Sequence, residues 1–320
     1  MIKVRDSLLI IFINLMWATQ VPVIRLIGDR IGPVTIAFIP LLISTLLFIP
    51  FLWAENKRRK KQGYNKRSWK DLRYFIVPGV IGIFLMQYLY TVGSTLTLAA
   101  NAGIITLTTP VLVVVFASLI LKEKLNIVRV ISFIIAVAGV LLTSLSDIKG
   151  ANFSESKFFL GNLIFLLACA CCAFYNTWCK LLVDKNFTEL EILVYSSIVG
   201  SIVCLPFLIW VEPFSLSKFI QSDKMVIWGI LELSLIVYGV SMLLFFYILK
   251  RMDVTQAILG NYLLPFFIAL LGIVLLNEKV TPVMLTGGAI IIISTLMVTV
   301  YEKMLLDLIT KIKQFKTVRQ

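Results

Sequence analysis

The chain has no histidine in 320 residues. That absence removes imidazole metal ligands, histidine proton relays and any Ser-His triad from consideration. Cysteine is scarce, with five in all, three of them in Cys169-Ala-Cys171-Cys172 inside an apolar run. The spacing matches no zinc signature, and cysteine in such surroundings acts as a small apolar side chain. Neither a metal site nor a disulfide framework is expected, and no cofactor is implied. No GxxxxGK[ST] phosphate loop is present, which argues against an ATP-driven pump. Charge is thin as well, at 15% of residues against about 25% in soluble proteins.

Apolar residues fill the space left: 59% of the chain, with a mean hydropathy of +0.97. Runs long enough to cross roughly 30 Å of hydrocarbon as helices recur from end to end. The first follows Lys3 and Arg5 but continues through Trp17 to Arg25 with no small-residue cleavage site, so it reads as a span and not a cleaved signal. Hydropathy and punctuation together predict ten transmembrane helices, near 7–27, 34–53, 72–93, 98–121, 127–145, 159–181, 190–211, 225–249, 254–276 and 281–301. The fold class is therefore an all-α integral membrane protein.

Basic residues orient it. The segment from Glu55 to Arg73 carries nine Lys/Arg against two acids, and an N-inside topology puts 23 of the 30 Lys/Arg on the cytoplasmic side. The positive-inside rule then places both termini in the cytoplasm of a plasma-membrane protein. The net charge of +13 lies mostly where anionic lipid headgroups meet it, and no aromatic platform is interleaved with it, so nucleic acid is not an expected partner. The lipid bilayer is.

A shift of 155 residues lays the second half of the chain over the first. PVLVVVFASLILKEKL at Pro110 falls on PFFIALLGIVLLNEKV at Pro265, Glu123 on Glu278, Lys124 on Lys279, and Arg25 on Lys180. Five spans repeat as five spans. Because five is odd, the second set must enter the membrane from the opposite side, so two inverted repeats are expected, 1–145 and 159–301. Residues 146–158 form an external linker, and 302–320 a cytoplasmic tail whose apolar and basic positions alternate at helical spacing. Glu123 and Glu278 read as helix terminators that form interfacial ion pairs, or as matched gate residues on opposite sides.

The duplicated layout, the Trp17-Ala-Thr start, the stretch YTVGSTLTLAANAGIITLTTPVLVVVFASLILKEKL at Tyr90 and its partner MDVTQAILGNYLLPFFIALLGIVLLNEKV at Met252 resemble the EamA-like branch of the drug/metabolite transporter superfamily. The likeness covers nearly the whole chain. It departs in the second span, where an arginine often found in the family is replaced around Phe38, Ile39 and Pro40. The resemblance implies ten helices, no nucleotide hydrolysis, and export or import of small metabolites, often amino acids or related compounds. It also implies a central cavity walled by the first, third, fourth, sixth, eighth and ninth spans.

Polar side chains in those spans are the candidate substrate contacts: Asn14, Gln20, Gln87, Tyr88, Tyr90, Asn101, Tyr175, Asn176, Tyr238, Gln256, Asn261 and Tyr262. The amides donate and accept, which suits a zwitterion, and the same groups equally serve to lock helices together. Glu232 is the only acid well inside an apolar span. An isolated carboxylate there costs at least about 2.5 kcal/mol. It reads as a proton-coupling or cation-recognising group, or as a structural partner of Arg25 or Arg30. Pro110 and Pro265 each delete a backbone donor and are the expected kinks of gating helices.

The sequence thus points to a secondary transporter moving a small polar or zwitterionic metabolite by alternating access, with proton motive force the simplest driver. A choline-like cation carrier is the nearest alternative, to be told apart by whether the tyrosines ring one cavity. A membrane enzyme lacks a convergent nucleophile, and a sensor would usually carry a soluble output domain. The sequence accommodates a monomer and a homodimer alike.

Overall fold

The computed structural model describes residues 4–63, 69–122, 126–145, 157–212, 219, 223–249 and 263–308. Glu123, Lys124, Gln256, Asn261 and Tyr262, residues 146–156 of the linker and the tail beyond 308 lie outside them. Every regular element among the described residues is helical. The chain begins with α1 (Val4–Ala18) and α2 (Gln20–Gly28), which meet at Thr19 and together form one span, then α3 (Pro33–Lys61). A 3-10 turn (Trp69–Phe75) and a π-helical segment (Pro78–Leu85) lead into α4 (Met86–Leu96). There follow α5 (Ala99–Thr106), α6 (Thr109–Ile120) and α7 (Ile127–Leu145). The second half holds α8 (Lys157–Asp184), α9 (Glu189–Trp210), α10 (Lys224–Glu232), a second π-helical segment (Leu233–Val240), α11 (Ser241–Leu249), α12 (Leu264–Leu276) and α13 (Pro282–Thr299).

Among the described residues, six helices are long and apolar enough to cross a membrane, or eight if two bent pairs each count as one span. One bent pair is α5 with α6, at 41°. Pro110 opens the bend, but from the first turn of α6, where its missing N–H lies among those a helix start leaves free in any case. Pro265 occupies the same place in α12. Two shorter apolar helices, Ile127–Thr143 and Leu264–Leu276, complete the set.

Large apolar side chains lie on the outside, and polar side chains are buried among apolar clusters within. Leu46, Ile134, Leu167, Ile202, Phe266 and Ile293 face outward, whereas Asn14, Gln87, Asn101, Ser94 and Asn162 are buried. Large apolar side chains exposed along the helices suit lipid. α3 runs 29 residues, about 43 Å at ~1.5 Å per residue, more than the roughly 30 Å of hydrocarbon. Its surplus end carries Lys57 over the exposed Trp53 ring at 5.2 Å, an interfacial pairing.

Local structure recurs at the 155-residue offset. The π segments start at Pro78 and Leu233, α6 and α12 at Thr109 and Leu264, α7 and α13 at Ile127 and Pro282. Lys122 and Asn277 both turn left-handed, at φ 58° and 54°. Asn126 caps the N–H of Arg129 at 3.0 Å, and Thr281 caps that of Met284 at 3.2 Å. Where α7 packs on α13, Gly139 lies against Gly287 while Ser294 donates to Ser132 O at 2.5 Å. The offset exchanges these two contacts, taking Gly139 to Ser294 and Ser132 to Gly287.

Candidate functional site

The polar center of the molecule is built around two irregularities. α1 and α2 meet at Thr19, and α10 passes directly into its π-helical segment after Glu232. The π-helical segment displaces side chains from the regular helical register, as such segments do at functional sites. Here the two irregularities bring Thr19 into hydrogen-bond contact with Glu232 Oε1 across 213 residues of sequence. Gln20, the next residue, donates to the Tyr238 hydroxyl at 2.7 Å, and Tyr238 also engages Gln87 from α4. Tyr90 and Trp17 pack with Tyr238 against Ile24, Val237 and Leu233. Spans separated by two hundred residues thus meet in one polar cluster inside an apolar shell. Glu232 Oε2 is buried with no hydrogen-bond partner among the described residues.

Of the side chains expected from sequence, Gln20, Gln87, Tyr90, Glu232 and Tyr238 converge here. Asn14 is buried and spends its N–H on Ile10 O at 2.9 Å, a bond within its own helix. Asn101 is fully buried in α5. Tyr88 and Tyr175 belong to a different cluster, around Phe38, Ile83 and Cys204, where the Tyr175 ring fills the space that a Cβ at Gly82 would take. Asn176 is exposed on α8, 3.7 Å from Cys172 Sγ. Of the candidate tyrosines among the described residues, Tyr90 and Tyr238 lie in one cluster and Tyr88 and Tyr175 in another, so these four do not ring one cavity. Thr19 is absent from the sequence-based set because threonine is ordinary in a helix; only the fold brings a carboxylate to it.

The expected structural pairing of Glu232 with Arg25 or Arg30 does not occur. Arg30 binds Asp223, and Arg25 binds Glu278. The left-handed Asn277 at the end of α12 turns the chain so that Glu278 enters the start of α5. Leu98 supplies no side-chain cap there, and Glu278 takes that role, accepting from Ala99 N at 2.8 Å and Ala100 N at 3.0 Å. So Glu278 does more than end its own helix: it is a buried carboxyl group joining α2, α5 and α12 through two helix-start amides and a guanidinium. Gly272 makes this possible, since a Cβ there would lie 2.8 Å from Glu278 Oε2. Glu212 repeats the device at the start of α3, accepting from Val34 N and Thr35 N at 2.9 and 3.0 Å.

One pocket, of about 180 Å³, lies elsewhere, between α6, α7 and α8. Its lining is apolar apart from Thr108, whose hydroxyl already binds Ile105 O. It offers nothing to hold a polar solute. No group of three or more metal-ligating side chains is present among the described residues.

A bundle of apolar helices wrapped around buried polar clusters defines a multi-pass helical membrane protein. The EamA-like transporter family profile matches residues 6–145 and again 159–300, and the chain belongs to that family. Among its relatives, YvbV of Bacillus subtilis, named an uncharacterized transporter, is 26% identical over 302 residues, covering 94% of this chain and 93% of that one. A probable terminal-alkyne amino-acid exporter of Streptantibioticus cattleyicolor is 21% identical over 274 residues, 86% of either chain. A solved crystal structure at 17% identity superposes with a TM-score of 0.58 over 95% of this chain and 99% of the other, a likeness of fold.

Proposed function

We propose that this protein is a secondary transporter of small polar or zwitterionic metabolites, amino acids or related compounds, working by alternating access in the plasma membrane with both termini cytoplasmic. Its ten spans form two inverted repeats, 1–145 and 159–301, joined by an external linker. The 155-residue recurrence of π segments, caps and left-handed turns supports the duplication, as does the exchange of contacts between α7 and α13. The family profile matching twice supports it too. Inverted repeats can exchange conformations about a site at mid-membrane.

The observation that carries the reading is the Glu232 cluster. Groups from the first, third and eighth spans converge on an intramembrane carboxyl group, and such residues mark solute or proton pathways. Glu232 is the coupling group, and Gln20, Gln87 and Tyr238 supply donors and acceptors for a zwitterion. The amino-acid class also agrees with the name of the Streptantibioticus relative.

The test is flux of a labeled amino-acid and quaternary-amine panel in proteoliposomes, with and without an imposed pH gradient, for the wild type and Glu232→Gln. Gradient-driven flux of a zwitterion that the substitution abolishes in folded protein is the expected result. Flux indifferent to both gradient and substitution makes Glu232 structural and removes the coupling reading.

A further inference from the structure

Building on that reading of Glu232, we propose that Thr19 is the positioning residue that ties the protonation of Glu232 to the joint between α1 and α2. Thr19 is the single residue between the two helices. Its hydroxyl touches two acceptors: Met16 O, in the last turn of α1, at 2.7 Å, and Glu232 Oε1. A hydroxyl owns one proton and cannot donate to both. With Glu232 ionized, one of the two contacts is oxygen against oxygen with no proton between them. With Glu232 protonated, its O–H donates to Thr19, Thr19 donates to Met16 O, and each contact is a hydrogen bond. The buried Oε2 points the same way, because a neutral carboxyl group bears an unsatisfied oxygen at far lower cost than a carboxylate.

The two contacts together are the pair that a protonated Glu232 satisfies. When Glu232 releases its proton to water in the pathway, the Thr19 hydroxyl turns to the carboxylate, where a charge-assisted bond is the stronger. Met16 O then gives up its bond from Thr19, and the end of α1 loses one tie. Gln20 follows Thr19 and holds Tyr238, while Glu232 directly precedes the π segment that carries Tyr238, so the joint and the π segment are linked at two adjacent points. Few other charges bear on the switch. Tyr238 and Tyr90 are the titratable groups of the cluster, Arg25 on α2 is bound to Glu278, and Arg30 beyond it is bound to Asp223. Arg5 on α1, Glu55 and the Lys57 to Lys61 run on α3, Lys224 on α10 and Tyr247 on α11 sit towards the other ends of their elements.

Infrared difference spectroscopy on the full chain reconstituted in vesicles, titrated with pH alone, tests this without a substrate. The wild type is expected to show a protonated-carboxyl band at neutral pH that Glu232→Gln deletes. Thr19→Val removes the hydroxyl: the band moves to higher frequency, as for a carboxyl group freed of its hydrogen bond, and its midpoint rises by about one pH unit because the ionized form loses its donor. Thr19→Ser restores both. A role for Thr19 in packing alone leaves the band and its midpoint in place in Thr19→Val, which overturns the proposal while gradient-driven flux still stands as the separate test of coupling. Absence of any Glu232-dependent band at neutral pH also overturns it.

Discussion

The carboxylate of Glu278 accepts the backbone N–H of Ala99 at 2.8 Å, across 179 residues of sequence. With Ala100 N and Arg25 on the same group, one side chain closes the start of α5 against the ends of α2 and α12.

Glu278→Ala leaves two helix-start amides and a guanidinium without their shared partner. Arg25 keeps some exposure, at 21% of its side chain, so the expected loss is about 2 to 3 kcal/mol and not the larger figure for a fully buried pair. Gly272→Ala acts on the same contact by pushing the carboxylate aside. Each is expected to lower the melting temperature of the detergent-solubilized protein, and the double variant to melt close to Glu278→Ala alone, because the added methyl then has room. Strictly additive shifts show that Gly272 acts elsewhere.

At the α7 to α13 contact, a Cβ on Gly139 would stand 2.6 Å from Ile291 Cγ1, and one on Gly287 would stand 2.8 Å from Gly139 O. Gly139→Leu and Gly287→Leu are each expected to wedge the helices apart and destabilize by several kcal/mol, as overpacking against backbone does. Ser294→Ala loses one hydrogen bond and is expected to cost about 1 kcal/mol. Thermal unfolding of the three variants ranks them; equal melting temperatures refute the close approach.

Tyr238→Phe deprives the Gln20 amide of its acceptor at a part-buried position. The expected cost is about 1 to 2 kcal/mol, and Gln20→Leu combined with Tyr238→Phe should cost less than the two single changes together. A full double-mutant cycle on unfolding midpoints measures the coupling, and a coupling of zero shows that the bond carries no energy.

Glu302 gives a pH dependence outside the spans. Its partial burial acts to raise its pKa, but hydrogen bonds from Arg129 and Asn126 outweigh that and hold it below the ordinary carboxylate value. A depressed folded-state pKa contributes stability above the unfolded value of about 4.3, and that contribution fades as pH falls through the lower folded value. The gap in melting temperature between wild type and Arg129→Gln is therefore expected to be full at pH 6 and to shrink below about pH 4. A gap constant down to pH 3 contradicts the assignment.

Much of the architecture was legible in the residues. Apolar runs located the helices, since a stretch of about 20 apolar residues crosses hydrocarbon as a helix that satisfies its own backbone, and the two proline-led stretches at Pro110 and Pro265 marked where helices restart. The repeat was readable because equivalent positions such as Lys122 and Asn277 serve one geometry twice. Five members of the polar cluster around Glu232 could be named from polarity alone. Polarity could not tell them apart from Asn14, which bonds its own helix, or from Tyr175, which fills the space over a glycine.

By itself the sequence determined the membrane class, the helical content and the 155-residue recurrence of its motifs, because each depends on residues near one another along the chain: a run of apolar side chains, a proline, a pattern repeated at a constant offset. Partner choice was decided only by the tertiary structure. Whether Arg25 meets Glu232 or Glu278, and whether Thr19 meets anything, depends on where helices hundreds of residues apart come to lie and at what rotation. A left-handed Asn277, a missing Cβ at Gly272 and a π segment after Glu232 set those rotations, each a small local geometry whose consequence appears only when the helices pack.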